Sequence, residues 1–186
     1  MSKPTLLRGR AWVVRDADGR PIDSIDTDMI FHNAHLALTD VAQMGQHAFG
    51  NLAGWKNFPK EARSGDIVVV AENFGCGSSR QQAVDCFRAL GIAAIVGESF
   101  GAIYQRNAIN SGLPLMVCPG IVRGIVNPDT GGLCRVETGD DLELDLAAGR
   151  IRNLTRGAEV PGARPLSRVQ LDIYEAGDLL RYGATG

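Results

Sequence analysis

Residues 66–97 read DIVVVAENFGCGSSRQQAVDCFRALGIAAIVG, and the order of features in them decides the fold. Asp66–Ala71 is an unbroken apolar run too short for a helix, so it predicts a buried strand. A glycine-bearing loop follows. A segment from about Ser79 to Leu90 then predicts a helix, closed by Gly91 in the left-handed position after its last turn. Ile92–Val96 predicts a second buried strand. Strand, loop, helix and strand in that order make a parallel pair with a helical crossover. The strands are continuously apolar, which fits a sheet covered on both faces.

Working outward, Ser99 predicts the cap of a helix running to about Asn110, and Gly112–Val117 is a third apolar run. Arg10–Arg15 predicts a first strand, turned by Asp16–Pro21. Phe31 to about Arg63 has weak periodicity and holds all three histidines, His32, His35 and His47. Within it, Leu38–His47 predicts a short helix capped by Thr39 or Asp40. An irregular stretch this long is often functional. After Pro119 the pattern changes to short strands at Leu133–Glu137, Asp141–Leu146 and Arg150–Leu154, with Ala147–Gly149 as a hairpin turn. Ser167 predicts the cap of a final helix to about Tyr182, with Val169, Ile173, Leu179 and Leu180 as its apolar residues. The expectation is one α/β domain spanning residues 1–186, a parallel layer with additional β-strands.

The chain has 186 residues, enough for one domain with a real core. Its formal net charge of −2 offers no basic surface for nucleic acid or an anionic membrane. No apolar run is long enough to span a bilayer. The first residues, MSKPTLLRGRAW, lack the apolar region of a signal peptide. Cys76, Cys86, Cys118 and Cys134 include no C-x-x-C pair, so neither a structural zinc site nor a secreted disulfide framework is indicated. A cytoplasmic location is the default.

Gly75 and Gly77 allow close backbone approach in the loop before the helix. Free N–H groups at a helix start, the hydroxyls of Ser78 and Ser79 and the Arg80 fork together make an anion site. Three readings compete. The serines could simply cap, since Ser78–Gln81 and Ser79–Gln82 both match the S-x-x-Q capping box. A nucleotide-phosphate loop lacks its usual glycine–lysine pattern here. A carboxylate site with a working serine is the third. A metal on Cys76 alone is weakest.

The combination of Asp26-Thr27-Asp28, Gly77-Ser78-Ser79-Arg80 and ESFGAIYQRNAINSGLP (98–114), in that order, resembles the aconitase superfamily. Within it the chain looks like a free-standing small subunit of the 3-isopropylmalate dehydratases. The resemblance covers most of the chain, from about Gly9 to the final helix. It implies the swivelling β/β/α domain and a hydro-lyase that dehydrates and rehydrates a 2-hydroxy dicarboxylic acid, here in leucine biosynthesis. It also implies a partner, an iron–sulfur large subunit carrying a [4Fe–4S] cluster, with no cofactor or metal bound by this chain. Ser78 would be the catalytic base, and Asp28 would lie near it to orient it or relay its proton. Ser79 and Arg80 would hold a substrate carboxylate. His35, Leu36, Ala37 and Leu38 would form the loop that reads the substrate's far group.

No arginine stands between Arg20 and Arg63, so that loop favours a hydrocarbon group over a third carboxylate. This points to isopropylmalate. Another branched diacid such as 2,3-dimethylmalate, then homoaconitate or citrate, and a non-catalytic anion-binding module are the alternatives. Many family members read G-S-S-R-E-H, whereas Gln81 and Gln82 follow Arg80 here. Arg106 and Asn107 read as ties of their helix to neighbouring loops, with no catalytic role.

Overall fold

The computed structural model describes residues 2–184. Four strands form its parallel layer: β1 (Leu6–Val13), β2 (Ile67–Val70), β3 (Ala94–Gly97) and β4 (Leu115–Val117). A short ribbon follows, β5 (Ile125–Val126) against β6 (Leu133–Cys134). Then come β7 (Asp141–Asp145), β8 (Arg150–Asn153) and β9 (Ala158–Val160). The main sheet has seven strands in the order β4-β3-β2-β1-β7-β8-β9. It is parallel from β4 to β1 and antiparallel from β1 to β9.

β1 is the seam between the two halves. Its second part pairs with β2, Ala11 opposite Ile67, while its first part pairs with β7, Leu7 opposite Leu144. The strand predicted at Arg10–Arg15 therefore begins earlier and ends sooner. Every residue of β2 is buried. Ile67 and Val69 join one apolar cluster, with Val96, Met116, Leu142 and Leu144; Val68 and Val70 join the other, with Ile95, Val84 and Phe87. Side chains alternate across a strand, so two covered faces require the unbroken apolar run seen in the sequence.

The helices are α1 (Thr27–Ile30), α2 (Val41–Met44), α3 (Phe58–Glu61), α4 (Gln82–Ala89), α5 (Ala102–Asn110), α6 (Arg168–Ala176) and α7 (Leu179–Gly183). The helix predicted from Ser79 starts three residues later. Gln81 occupies its cap position with no side-chain cap bond, so neither Ser78 nor Ser79 caps it. Ser99 does not cap α5 either; Gly101 holds that position, and Ser99 Oγ accepts from the Asn73 N–H instead. Asp40, not Thr39, caps α2. Ser167 and Gln170 form the expected capping box of α6. The last helix is broken, however: Gly177 sits at φ 111° and Asp178 caps a separate α7. Leu180 is 85% exposed and Val169 56%, so the predicted apolar stripe reduces to Ile173 on the core.

The segment from Phe31 to Arg63 is short turns of helix around an aromatic cluster. Phe49 is fully buried, with ring centroids 5.2 Å from Phe58 and 5.1 Å from Phe87. That packing ties the segment to α4. β5 and β9 are strands that the sequence pattern did not single out.

Candidate active site

Residues 71–81 form the loop from β2 to α4. Gly75 lies at φ 75°, and its N–H donates to Ile25 O at 2.8 Å. A Cβ on Gly75 would fall on the Tyr104 ring, and one on Gly101 would meet Gly75 O at 2.7 Å. Glycine at both positions lets the loop lie directly on the start of α5.

The same loop is held against α1. Asp26 caps that short helix, accepting from the Asp28 and Met29 N–H groups at 2.9 and 2.8 Å. Thr27 is buried and donates its hydroxyl to Ser78 O at 3.0 Å. The Thr27 N–H donates to Cys76 O at 3.0 Å. The D-T-D element thus spends its first acid on capping and its threonine on fixing the Ser78 backbone. Its second acid is left to face the arginine.

Arg80 Nη1 donates to Asp28 Oδ1 at 2.6 Å and to Phe31 O at 3.2 Å. Asp28 also accepts from the Asn33 N–H on Oδ1 and from Asn51 Nδ2 on Oδ2, both at 3.0 Å. The Arg80 guanidinium beside Asp28 holds its carboxyl below the usual carboxylate range. Among the described residues no hydrogen bond joins Asp28 to Ser78, beside which the sequence reading put it. Arg80 Nε and Nη2 have no protein partner there and remain for an outside anion.

The Ser78 hydroxyl is exposed and likewise unpartnered among the described residues. Ser79 Oγ accepts from Asn107 Nδ2 at 3.2 Å. No protein acceptor faces the N–H groups of Ser78, Ser79, Arg80 and Gln81 among the described residues. Two guanidinium nitrogens without a protein partner, two hydroxyls and a run of free amides make this loop rich in donors, with the Asp28 carboxylate behind Arg80. Such a loop suits an anion. By contrast, a cavity of about 660 Å³ is lined by Asp16, Asp18 and Asp23 beside Met29 and Asn51. Its acids disfavour a dicarboxylate.

His35 ends a 3₁₀ turn at Asn33–His35, and Leu36, Ala37 and Leu38 follow it in a short loop. Leu36 and Ala37 are exposed. Two contacts pin this loop. The His35 ring stacks on His47 with centroids 3.8 Å apart, and Gln82 Nε2 donates to Leu36 O at 3.3 Å. Gln82 therefore joins α4 to the loop, while Gln81 reaches Ser111 Oγ at 2.8 Å and Asp85 at 3.2 Å. Arg106 is exposed with no partner among the described residues, so it is not the internal tie expected of it. Asn107 is a tie, to Ser79.

The four cysteines are free and do not converge. Burial pushes the Cys118 thiol up to about 12 and Cys86 higher still, far from thiolate character. Among the described residues no three His, Cys, Asp or Glu side chains stand close enough to hold a metal ion. These donors do not fit an iron–sulfur cluster, which needs converging thiolates. No described helix is long and apolar enough to cross a membrane.

Thr27 and Asn51 support the site and were missed; Asn107, expected to tie its helix to a neighbouring loop, does so through Ser79. Thr27 and Asn107 sit inside the quoted motifs, but the type of their contacts is not written there. Asn51 carried no signal, because its approach to Asp28 depends on how the irregular segment folds back.

Residues 23–119 match the aconitase C-terminal domain. The 3-isopropylmalate dehydratase small subunit of Pyrobaculum calidifontis is 42% identical over 177 residues, covering 95% of this chain and 96% of that protein. The isopropylmalate/citramalate isomerase small subunit of Methanocaldococcus jannaschii is 36% identical, covering 96% and 94%. A crystal structure of 3-isopropylmalate dehydratase (LeuD) from Methanocaldococcus jannaschii superposes with a TM-score of 0.80 at 31% identity, over 97% of this chain and 94% of that one. With the fold and most of its length shared in this way, the chain belongs to the aconitase C-terminal domain family and, within it, to the 3-isopropylmalate dehydratase small subunits.

Proposed function

We propose that this chain is the small subunit of a two-subunit hydro-lyase that interconverts 2- and 3-isopropylmalate, acting as a single swivelling domain in the cytoplasm. The observation that carries it is the donor-rich loop: Ser78 Oγ and two Arg80 nitrogens have no protein partner among the described residues, while Thr27, Asp28 and Asn107 hold the loop in place. The iron–sulfur cluster is assigned to the large subunit, where it would supply Lewis-acid chemistry to the departing hydroxyl.

This chain's part is the carboxylate and the proton. Arg80 Nε and Nη2 and the Ser79 hydroxyl take one substrate carboxylate. Ser78 Oγ takes the proton from the carbon beside it as hydroxide leaves the neighbouring carbon; on rehydration hydroxide adds to the first carbon and Ser78 gives its proton to the carbon that lost the hydroxyl. A serine alkoxide is a poor match for water at neutral pH, so it requires the fixed positive surroundings that this loop supplies. Asp28 acts here as the brace of Arg80. The exposed Leu36 and Ala37 offer apolar contact to the isopropyl group.

Anaerobic reconstitution with the large subunit tests the reading. Ser78→Ala should lower kcat by roughly a hundredfold or more, the size of a lost general base. Activity close to wild type in that variant would sink the role. A relative named for citramalate as well as isopropylmalate supports a second reading, that 2-methylmalate is also accepted. Turnover of both diacids by one reconstituted complex would establish it, and turnover of isopropylmalate alone would exclude it.

A further inference from the structure

We infer that Asn107 is a positioning residue for the reaction: its side-chain amide sets the direction in which the Ser79 hydroxyl donates. The inference rests on the reading of Ser79 as a carboxylate donor. A serine hydroxyl has one proton and two acceptor positions. Asn107 Nδ2 donates to Ser79 Oγ at 3.2 Å, so one acceptor position is filled from the α5 side. The hydroxyl proton then has no protein acceptor among the described residues and points to the open side, where an anion would sit.

The same turn of α5 braces the loop a second time. Gln81 Nε2 donates to Ser111 Oγ at 2.8 Å, and Ser111 Oγ donates to Asn107 O at 2.8 Å. Asn107 is therefore a junction, its carbonyl tied to one end of the loop through Ser111 and its amide to Ser79. On the opposite side Thr27 holds Ser78 O. The loop has no helix-capping bond of its own, so these side chains take over the task of fixing it. Without the amide, Ser79 is free to rotate its proton toward solvent, and a prearranged donor becomes an unarranged one.

The test is a mutant cycle in the reconstituted complex, with isopropylmalate as substrate. Asn107→Leu keeps the shape and removes the amide. It should raise KM about fivefold to tenfold, the effect of one misdirected hydrogen bond to a charged group, with kcat within about twofold. Ser79→Ala should raise KM by at least as much. Combined, the two should cost no more than Ser79→Ala alone, because the amide then has nothing to orient. Thermal unfolding checks that the Leu variant is folded; should it fail to fold, Asn107→Ala takes its place in the cycle. An unchanged KM in a folded Asn107 variant, or the same penalty with and without Ser79, overturns the inference. If Ser79→Ala itself leaves KM unchanged, the reading of Ser79 as a carboxylate donor falls first.

Discussion

Asp28 is the residue whose role the contacts redefine. Three donors converge on it, and the strongest is Arg80. Asp28→Asn keeps an oxygen that can accept from Arg80 Nη1 but removes the charge opposite it. It should therefore raise KM for the dicarboxylate about tenfold, since weakening a charged hydrogen bond costs on that order. Steady-state kinetics on the reconstituted enzyme reads it directly, and a lower KM would show that Asp28 competes with substrate instead. The pH sign follows from the lowered carboxyl value. The pair's contribution is complete above the unfolded value of about 3.9 and is lost as pH falls through the lower folded value. No acid limb from this pair is expected between about pH 5 and 8.

The histidine pair belongs to the element scale, because it fastens a loop. Burial lowers the His47 value, and the neighbouring His35 charge lowers it further. A base depressed in the folded state is most stabilising above its unfolded value, near pH 6.5, and that stability is lost as pH falls toward the folded value. Amide exchange over residues 32–47 should accelerate between about pH 7 and 5.5 relative to the sheet strands. Equal acceleration in a His47→Gln variant would remove the pair as the cause. The loop under Ser78 is constrained in a different way. Gly75→Ala would drive a methyl into Tyr104 at φ 75°. Strain at such a position plus the clash should cost about 2 kcal/mol or more. Chemical denaturation measures it, and a loss under about 0.5 kcal/mol would mean that the loop yields.

At the scale of the whole molecule, the irregular segment of residues 31–63 depends on Phe49. Its ring meets Trp55, Phe58, Phe74 and Phe87. Phe49→Ala should destabilise the chain by roughly 3–5 kcal/mol, as burying a cavity of that size does. Because Asn51 and the His35–Leu38 loop hang from the same segment, KM should worsen with it where the chain still folds. A stable variant with unchanged KM would show that segment and site are uncoupled.

The parallel layer was legible because physics writes it locally. A strand covered on both faces must be apolar at every position, and 66–71 and 92–96 are. The carboxylate-binding character of 77–80 was legible for a similar reason: hydroxyls, a guanidinium and glycines are donors and close-approach residues wherever they fall. Helix starts were less so, since a serine that matches a capping box can be withdrawn for a longer-range bond, as Ser99 is to Asn73. What the tertiary structure alone decided is who holds whom. Asp28 turned to Arg80, Asn107 to Ser79 and Gln82 to Leu36, each across more than twenty residues of chain. A polar side chain's partner depends on which backbone the fold carries to within about 3 Å of it, and no local spacing encodes that distance.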